Sequence, residues 1–289
     1  NHFTTFYDIY SSDISQKKHG AFHYLDYNVN NNLTIGLFEA IIWQSRDENF
    51  ERGFDVHYLN PIIFYRPVEF SKHSPDNALL GINIDYQINK VNIYGQLLID
   101  DLNINRYENT GDGFFQNKLA FQLGLKSKFN INEHNFYFLT EFNQAQPYTY
   151  AHKHPMQNYT HMNQALAHPL GANFKENIFI MNHTYKKWGS NLKYTYAVYG
   201  ADSVDTHYGQ NIFISDFLAS GEGGEFSYGN FNGQGVLTHL HTLYAEVNYD
   251  LKFAKAFVAC AIRNQTNKVN STYLVLGIKT NFINPFIDF

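Results

Sequence analysis

An all-β fold, a transmembrane antiparallel up-and-down β-barrel of about twelve strands in a single domain spanning residues 1–289, is what this sequence predicts. Three observations carry the prediction. Period-two runs fill the chain, while amphipathic helical patterns are scarce. Charged residues make up 16% and aromatics 17%, and uncharged polar residues hold the mean hydropathy at −0.38. Side chains alternating between lipid and a polar lumen produce that composition. Finally, the connections alternate between short turns and long loops, as outer-membrane barrels alternate periplasmic turns with external loops. Only the last outer connection, near Thr266 to Asn270, breaks the pattern by being short. The competing reading is a soluble sandwich or propeller. Low charge, loop parity and the terminal aromatic Phe289 weigh against it together.

The first strand runs from His2 to Tyr10, followed by a polar stretch over 11–20 that contains Lys17 and Lys18. Phe22 to Val29 and Leu33 to Trp43 form a hairpin around Asn30, Asn31 and Asn32, asparagine being a residue that tolerates positive φ. A long external loop covers about 44–77. Ala78 to Ile88 and Val91 to Asp101 turn at Asn89 and Lys90, and Phe115 to Phe129 and Asn135 to Asn143 turn around residue 132. The second long loop covers about 144–176. Asn177 to Lys187 and Ser190 to Gly200 pair across Trp188 and Gly189, and a Gly-rich third loop over 201–235 reads as a mobile external segment. Leu237 to Asp250, Lys255 to Gln265 and Ser271 to Phe282 close the series. In Val91 to Asp101, Val91, Ile93, Leu97 and Ile99 share one face, and Asn92, Tyr94, Gln96 and Asp100 the other. Both chain ends then fall on the periplasmic side.

No window of about 18 apolar residues encodes a membrane-spanning helix. No signal peptide opens the chain, and its start at Asn1 rather than Met reads as a mature or truncated product. The net charge of −5 offers no basic face for nucleic acid. Cys260, the single cysteine, excludes an intramolecular disulfide and reads as a small buried or lipid-facing residue.

The stretch Phe142 to Glu176 is the leading candidate for function, because so long a loop without a period of its own is uncommon in a compact domain and usually functional. Tyr148, Tyr150, His152, His154, Tyr159, His161 and His168 suit stacking on, and hydrogen bonding to, a polar ligand. The alternative is a plug over the lumen whose imidazoles and phenols bond one another. His152 and His154 alternate on one segment, but no Cys or nearby carboxylate completes a metal set and Pro155 and Pro169 interrupt it, so neither metal nor cofactor is expected. Arg66 and Glu69, in FYRPVEFS, read as a structural latch inside the barrel or a clamp on substrate. An outer-membrane hydrolase is a further alternative. One outer-membrane phospholipase family uses a barrel-borne Ser and His in a local pattern of a His two residues before a Ser followed by Asn and Gly, which is absent here. His73 and Ser74 are adjacent and precede Pro75, so no catalytic residue is assigned. The Gly-rich loop lacks the Lys-Ser/Thr end of a phosphate-binding loop.

NPIIFYRPVEFSKHSPDNALLG (Asn60 to Gly81), YGQLLIDD (Tyr94 to Asp101) and QPYTYAHKHPMQNYTHMNQALAHPLGANFKE (Gln146 to Glu176) resemble the RemB-type gliding-motility outer-membrane proteins of Bacteroidota, and more distantly the Wzi capsule-assembly barrels. The resemblance implies a bacterial outer-membrane barrel with more strands than twelve, the others preceding Asn1. It further implies non-enzymatic work at the cell surface, in gliding motility or the retention of surface polysaccharide or adhesin. The implied partners are outer-membrane lipid and that polysaccharide or adhesin. The alternative reading is an accessory scaffold subunit of a larger complex, such as a type 9 secretion translocon.

Overall fold

In the computed structural model the described residues are 2–9, 15–46, 51, 53–60, 62–64, 76–101, 113–204, 206–217, 227–266 and 268–280. Twelve strands form one antiparallel sheet in chain order. They are β1 (His2–Ile9), β2 (Ser15–Asn28), β3 (Leu33–Gln44), β4 (Asn77–Ile88), β5 (Val91–Asp101), β6 (Lys118–Ile131), β7 (His134–Ala145), β10 (Phe174–Tyr185), β11 (Trp188–Ala201), β12 (Val236–Asp250), β13 (Ala254–Gln265) and β14 (Ser271–Thr280). Between β7 and β10, β8 (Thr160–His161) and β9 (Gln164–Ala165) make a separate hairpin. Among the described residues β1 pairs only with β2 and β14 only with β13.

Every expected strand is present. The predicted turns close with the chemistry expected of them: Asn89 and Asn132 take φ of 52°, and Asn30 Oδ1 accepts from the amides of Asn32 and Leu33. Two readings need correcting. The turn between β10 and β11 lies at Lys186, with φ of 52°, and Lys187, whereas Trp188 and Gly189 already belong to β11 and pair with Tyr185 and Thr184. The stretch with Lys17 and Lys18 is not a loop, since β2 begins at Ser15 and pairs with β1 through Tyr7 opposite Lys17. Lysines normally mark solvent, but the inward face of a barrel is polar, so a lysine there continues the strand. Phe282, Phe286 and Phe289 lie outside the described residues.

Following the register from strand to strand sorts the side chains onto two faces. One carries Leu25, Leu37, Ile82, Leu97, Leu123, Met181, Leu192 and Leu276. The other carries Tyr24, Asn83, Gln96, Gln122, Glu141, Glu176, Lys193 and Glu246. Period-two alternation places the first set toward lipid and the second toward the lumen. Cys260, opposite Leu274 and Ala245, belongs to the lipid-facing set and is half-buried.

The sheet curls around its own connections. One apolar cluster unites Ala40, Leu79, Leu98, Ala120, Ala145, Phe174, Ala197 and Leu240, from eight strands, with Tyr150, Ala151, Ala172 and Ile212 of the long loops. A flat sheet could not bring eight strands to one loop. Small residues at four of these wall positions leave the loops room. Close approach also explains Gly124 on the lumen wall: a Cβ there would fall 2.1 Å from the ring of Tyr94, its cross-strand partner.

At the lower rim, aromatic and basic side chains ring the lipid-facing surface. His134, Phe136, His183 and Tyr185 stack on one another, with His134 Nδ1 2.8 Å from His183 Nε2, and Trp188 packs against Tyr249. Such girdles mark the membrane–water boundary of a barrel.

The two-face assignment predicts a sharp asymmetry at mid-strand on β6. Leu123→Arg faces hydrocarbon and should cost about 2–4 kcal/mol, whereas its neighbour Gln122→Arg faces the lumen and should cost under about 1 kcal/mol by the same reasoning. Equilibrium unfolding titrations in lipid bilayers measure both, and equal costs would refute the assignment.

Candidate functional site

Residues 146–173 pack on the strand walls as a plug, the alternative to a ligand-binding loop, and buried polar and charged groups from the walls hold them. Lys18 of β2 is fully buried. Its Nζ lies 2.5 Å from Asp8 Oδ2 and donates to Asn158 O at 2.8 Å and Thr160 Oγ1 at 2.9 Å. Lys118 of β6, also buried, donates to Ala151 O at 2.8 Å and to Asp216 Oδ2 at 2.7 Å. Asp100 Oδ2 accepts the Tyr150 amide at 2.7 Å, and Asn77 Nδ2 donates to Gln157 O at 2.9 Å. The lysine bonds are charge-assisted and stronger than neutral ones such as Asn77 to Gln157, and a buried charge stays charged only when so paired.

The described residues of the 201–235 connection (201–204, 206–217 and 227–235) close on the plug from outside. Asn158 Nδ2 donates to Ile212 O, and Asn173 Nδ2 to the carbonyls of Gly200 and Gln234. Asp202 organises this loop by accepting from Tyr208 N and Asn211 N and pairing with His207. Burial works against the Asp202 carboxylate, but His207 and the two amides hold its pKa below the usual value. Of the Gly-rich stretch Gly221 to Gly235 that reads as mobile, residues 221–226 lie outside the described residues, while Ser227 and Gln234 are buried.

The sequence-predicted site residues divide by environment. Tyr148, at φ 66° and fully buried, donates its hydroxyl to His207 O at 3.0 Å. Tyr150, at φ 73°, is buried against the wall cluster. Neither ring offers a face to a ligand while the plug is seated. His152 and His154 shape a tight turn, each accepting a backbone amide two residues on. His161 Nδ1 accepts the Tyr7 amide, while Tyr7 O accepts from Met162 N, so the β8–β9 hairpin covers the outer end of β1. Tyr159 and His168 remain half-buried beside the lumen wall. Arg66 and Glu69 lie outside the described residues. Among the described residues no three of His, Cys, Asp and Glu gather as a metal-binding group.

Beneath the plug, the wall carries polar groups in a continuous chain. His168, stacked on Phe174 at 4.2 Å, places Nε2 3.1 Å from Glu176 Oε2. Asn143 Nδ2 bridges Glu176 and Glu141. Glu141 Oε2 accepts from Tyr94 OH at 2.5 Å, and Lys126 Nζ stands 5.1 Å over the Tyr94 ring. On neighbouring strands Gln96 donates to Asn83, Asn83 to Tyr24, and Tyr24 to Asp26. Phe22, Tyr24, Phe38, Leu98 and Tyr159 line a cavity of about 230 Å³ at the plug's underside. The arrangement offers aromatic faces beside fixed donors and acceptors. Its wall members, Tyr24, Tyr94, Glu141, Asn143 and Glu176, were not among the expected site residues, although strand alternation alone places them on the polar face.

No family model matches the chain, and no curated protein matches it. Among solved structures it is similar to Wzi of Escherichia coli, described as an outer membrane protein involved in group 1 capsule assembly and a carbohydrate binding β-barrel. The TM-score is 0.56 at 13% identity, over 92% of this chain and 52% of Wzi, so the chain spans about half the length of that structure. A loop-deletion variant of OmpT, an outer membrane protein of Vibrio cholerae, aligns over 96% of both chains at 9% identity, but its TM-score of 0.32 carries no argument. The likeness to Wzi concerns the fold. Together with the two-faced strands and the loop parity, it makes this chain an outer-membrane β-barrel.

Burial lowers the His152 pKa from 6.5 to about 4, reinforced by Lys118 and His154 and opposed by Asp216 and Asp76. A depressed histidine pKa stabilises the fold above the unfolded value and loses that contribution on acidification. The plug's resistance to protease should therefore be full above pH 6.5 and fall progressively toward pH 4. In His152→Gln the part of that decline due to this imidazole should vanish. A wild-type plug equally resistant across the range would contradict the assignment.

Proposed function

We propose that this protein is a non-enzymatic outer-membrane barrel of the cell surface that holds polysaccharide against the lumen wall beneath its plug, serving surface-polysaccharide retention or gliding motility. The observation that carries the reading is the chain His168–Glu176–Asn143–Glu141–Tyr94, flanked by the aromatics Tyr24, Phe38 and Tyr159. Sugars present hydroxyls in the ring plane and C–H groups on the ring faces. Fixed carboxylates and amides meet the first, and aromatic faces meet the second. No bond need be broken. The description of Wzi as carbohydrate-binding supports the reading, as does the resemblance of Gln146 to Glu176 to the gliding-motility proteins.

Purification from native outer membrane in mild detergent, followed by glycan analysis and protein mass spectrometry, tests this directly. The expected product is a barrel carrying polysaccharide. Tyr24→Ala and Glu141→Gln should each weaken binding of the released glycan roughly tenfold, or about 1.4 kcal/mol. Stoichiometric protein partners without glycan would instead favour a scaffold subunit, and turnover of the glycan would favour a hydrolase. Either result overturns the reading.

A further inference from the structure

The connection between β3 and β4 does not cover the lumen in its described part. Residues 53–64 fold over the opposite, outward face of β1–β4, where Trp43, Ile41, Ala21 and Ala78 pack with Tyr58. Trp43 is fully buried, stacks at 4.8 Å on Tyr58 and donates Nε1 to Gly53 O at 3.3 Å. Lower on the same face is a polar pair foreign to a lipid-facing surface: His23 Nδ1 lies 3.6 Å from Glu39 Oε2, and both side chains are buried. The Phe64 amide caps that carboxylate at 2.9 Å.

Glu39 sits six residues above Leu33 at the base of β3. At about 3.3 Å per residue and a tilt near 40°, that is roughly 15 Å above the inner rim, within an apolar band about 25 Å tall. The segment therefore descends to membrane depth. Irregular backbone is tolerated at that depth only where it packs against protein. This segment packs on the strands through Tyr58 and satisfies part of its backbone locally, Tyr58 N donating to Asp55 O, His57 N to Asp55 Oδ1, Asn60 N to His57 O and Ile62 N to Asn60 Oδ1. Its exposed side chains are mainly apolar, with Val56 65%, Ile62 59% and Leu59 45% exposed, while the half-exposed imidazole of His57 is held 2.8 Å from Asp55 Oδ1. That surface continues the lipid-facing band of Leu25, Leu37, Ile82 and Ile84.

We propose that residues 53–64 are a re-entrant segment immersed in the outer leaflet, which shields the His23–Glu39 pair and presents Val56, Leu59 and Ile62 to acyl chains. The membrane, rather than a protein or the external medium, is the occupant of this surface, because its apolar side chains continue the barrel's lipid face.

The test places nitroxides at Val56→Cys and, separately, Leu59→Cys in a Cys260→Ala background, in proteoliposomes, with Leu276→Cys as the lipid reference and Val204→Cys as the aqueous one. Retention of the compact electrophoretic form before boiling selects folded protein, and either loop position suffices. Oxygen collisions exceeding nickel-chelate collisions, as at Leu276→Cys, are the expected result. Nickel-chelate collisions dominating, as at Val204→Cys, would place the segment in water. Suppression of both would place it against protein. Each of those two outcomes overturns the proposal.

Discussion

Two lysines buried in the lumen wall, Lys18 and Lys118, fix the structure's outer half. Each is withdrawn from water and repaid by a carboxylate, Asp8 or Asp216, and by plug carbonyls at 2.8 Å. A buried ion pair adds little net stability compared with an apolar replacement, but breaking one is costly. Its effect here is on placement: Asn158 and Ala151 cannot drift from the ammonium groups without leaving charge exposed to a dry interior. Around these anchors the apolar contacts of Tyr150, Ala172 and Ile212 with eight strands can form.

Seating the plug from above leaves its underside and the wall below as the polar surface of the lumen. The groups there are rigid because they are tied to one another. Tyr94, Glu141, Asn143, Glu176 and His168 restrain each other's rotamers, so a ligand pays little to order them. The same economy of polar groups appears on the outward face. His23 and Glu39 are shielded there by residues 53–64, whose turn is organised by Asp55 and Asn60.

Strand number, turn positions and the two faces were legible in the sequence, because period-two alternation and asparagine turns are local signals. Lys18 was misread as loop because lysine is a solvent marker everywhere except where a carboxylate such as Asp8, on another strand, receives it. The plug loop was also legible from its length and composition. What its residues do was not: Tyr148 and Tyr150 look like ligand-stacking aromatics in one dimension, and only the strand walls reveal them as packing. The polar groups of the lumen wall are scattered one or two at a time over β2, β4, β5, β7 and β10, so no contiguous motif announces them. The descent of 53–64 along the outside depends on Trp43 and Tyr58 meeting across 15 residues, a contact no periodicity encodes.

Amide hydrogen exchange on the folded barrel tests the central claim, that the lysines seat residues 146–173 as a fixed plug. In the wild type, the amides of Tyr150, Ala151, Asn158 and Tyr159 should exchange as slowly as strand amides. In Lys118→Met, which removes the ammonium paired with Asp216, plug protection should fall by roughly two to four orders of magnitude, corresponding to the ~3–5 kcal/mol of a broken buried pair, while β10–β13 stay protected. A wild-type plug exchanging at the rate of an open loop, or one indifferent to losing the lysine, would contradict it.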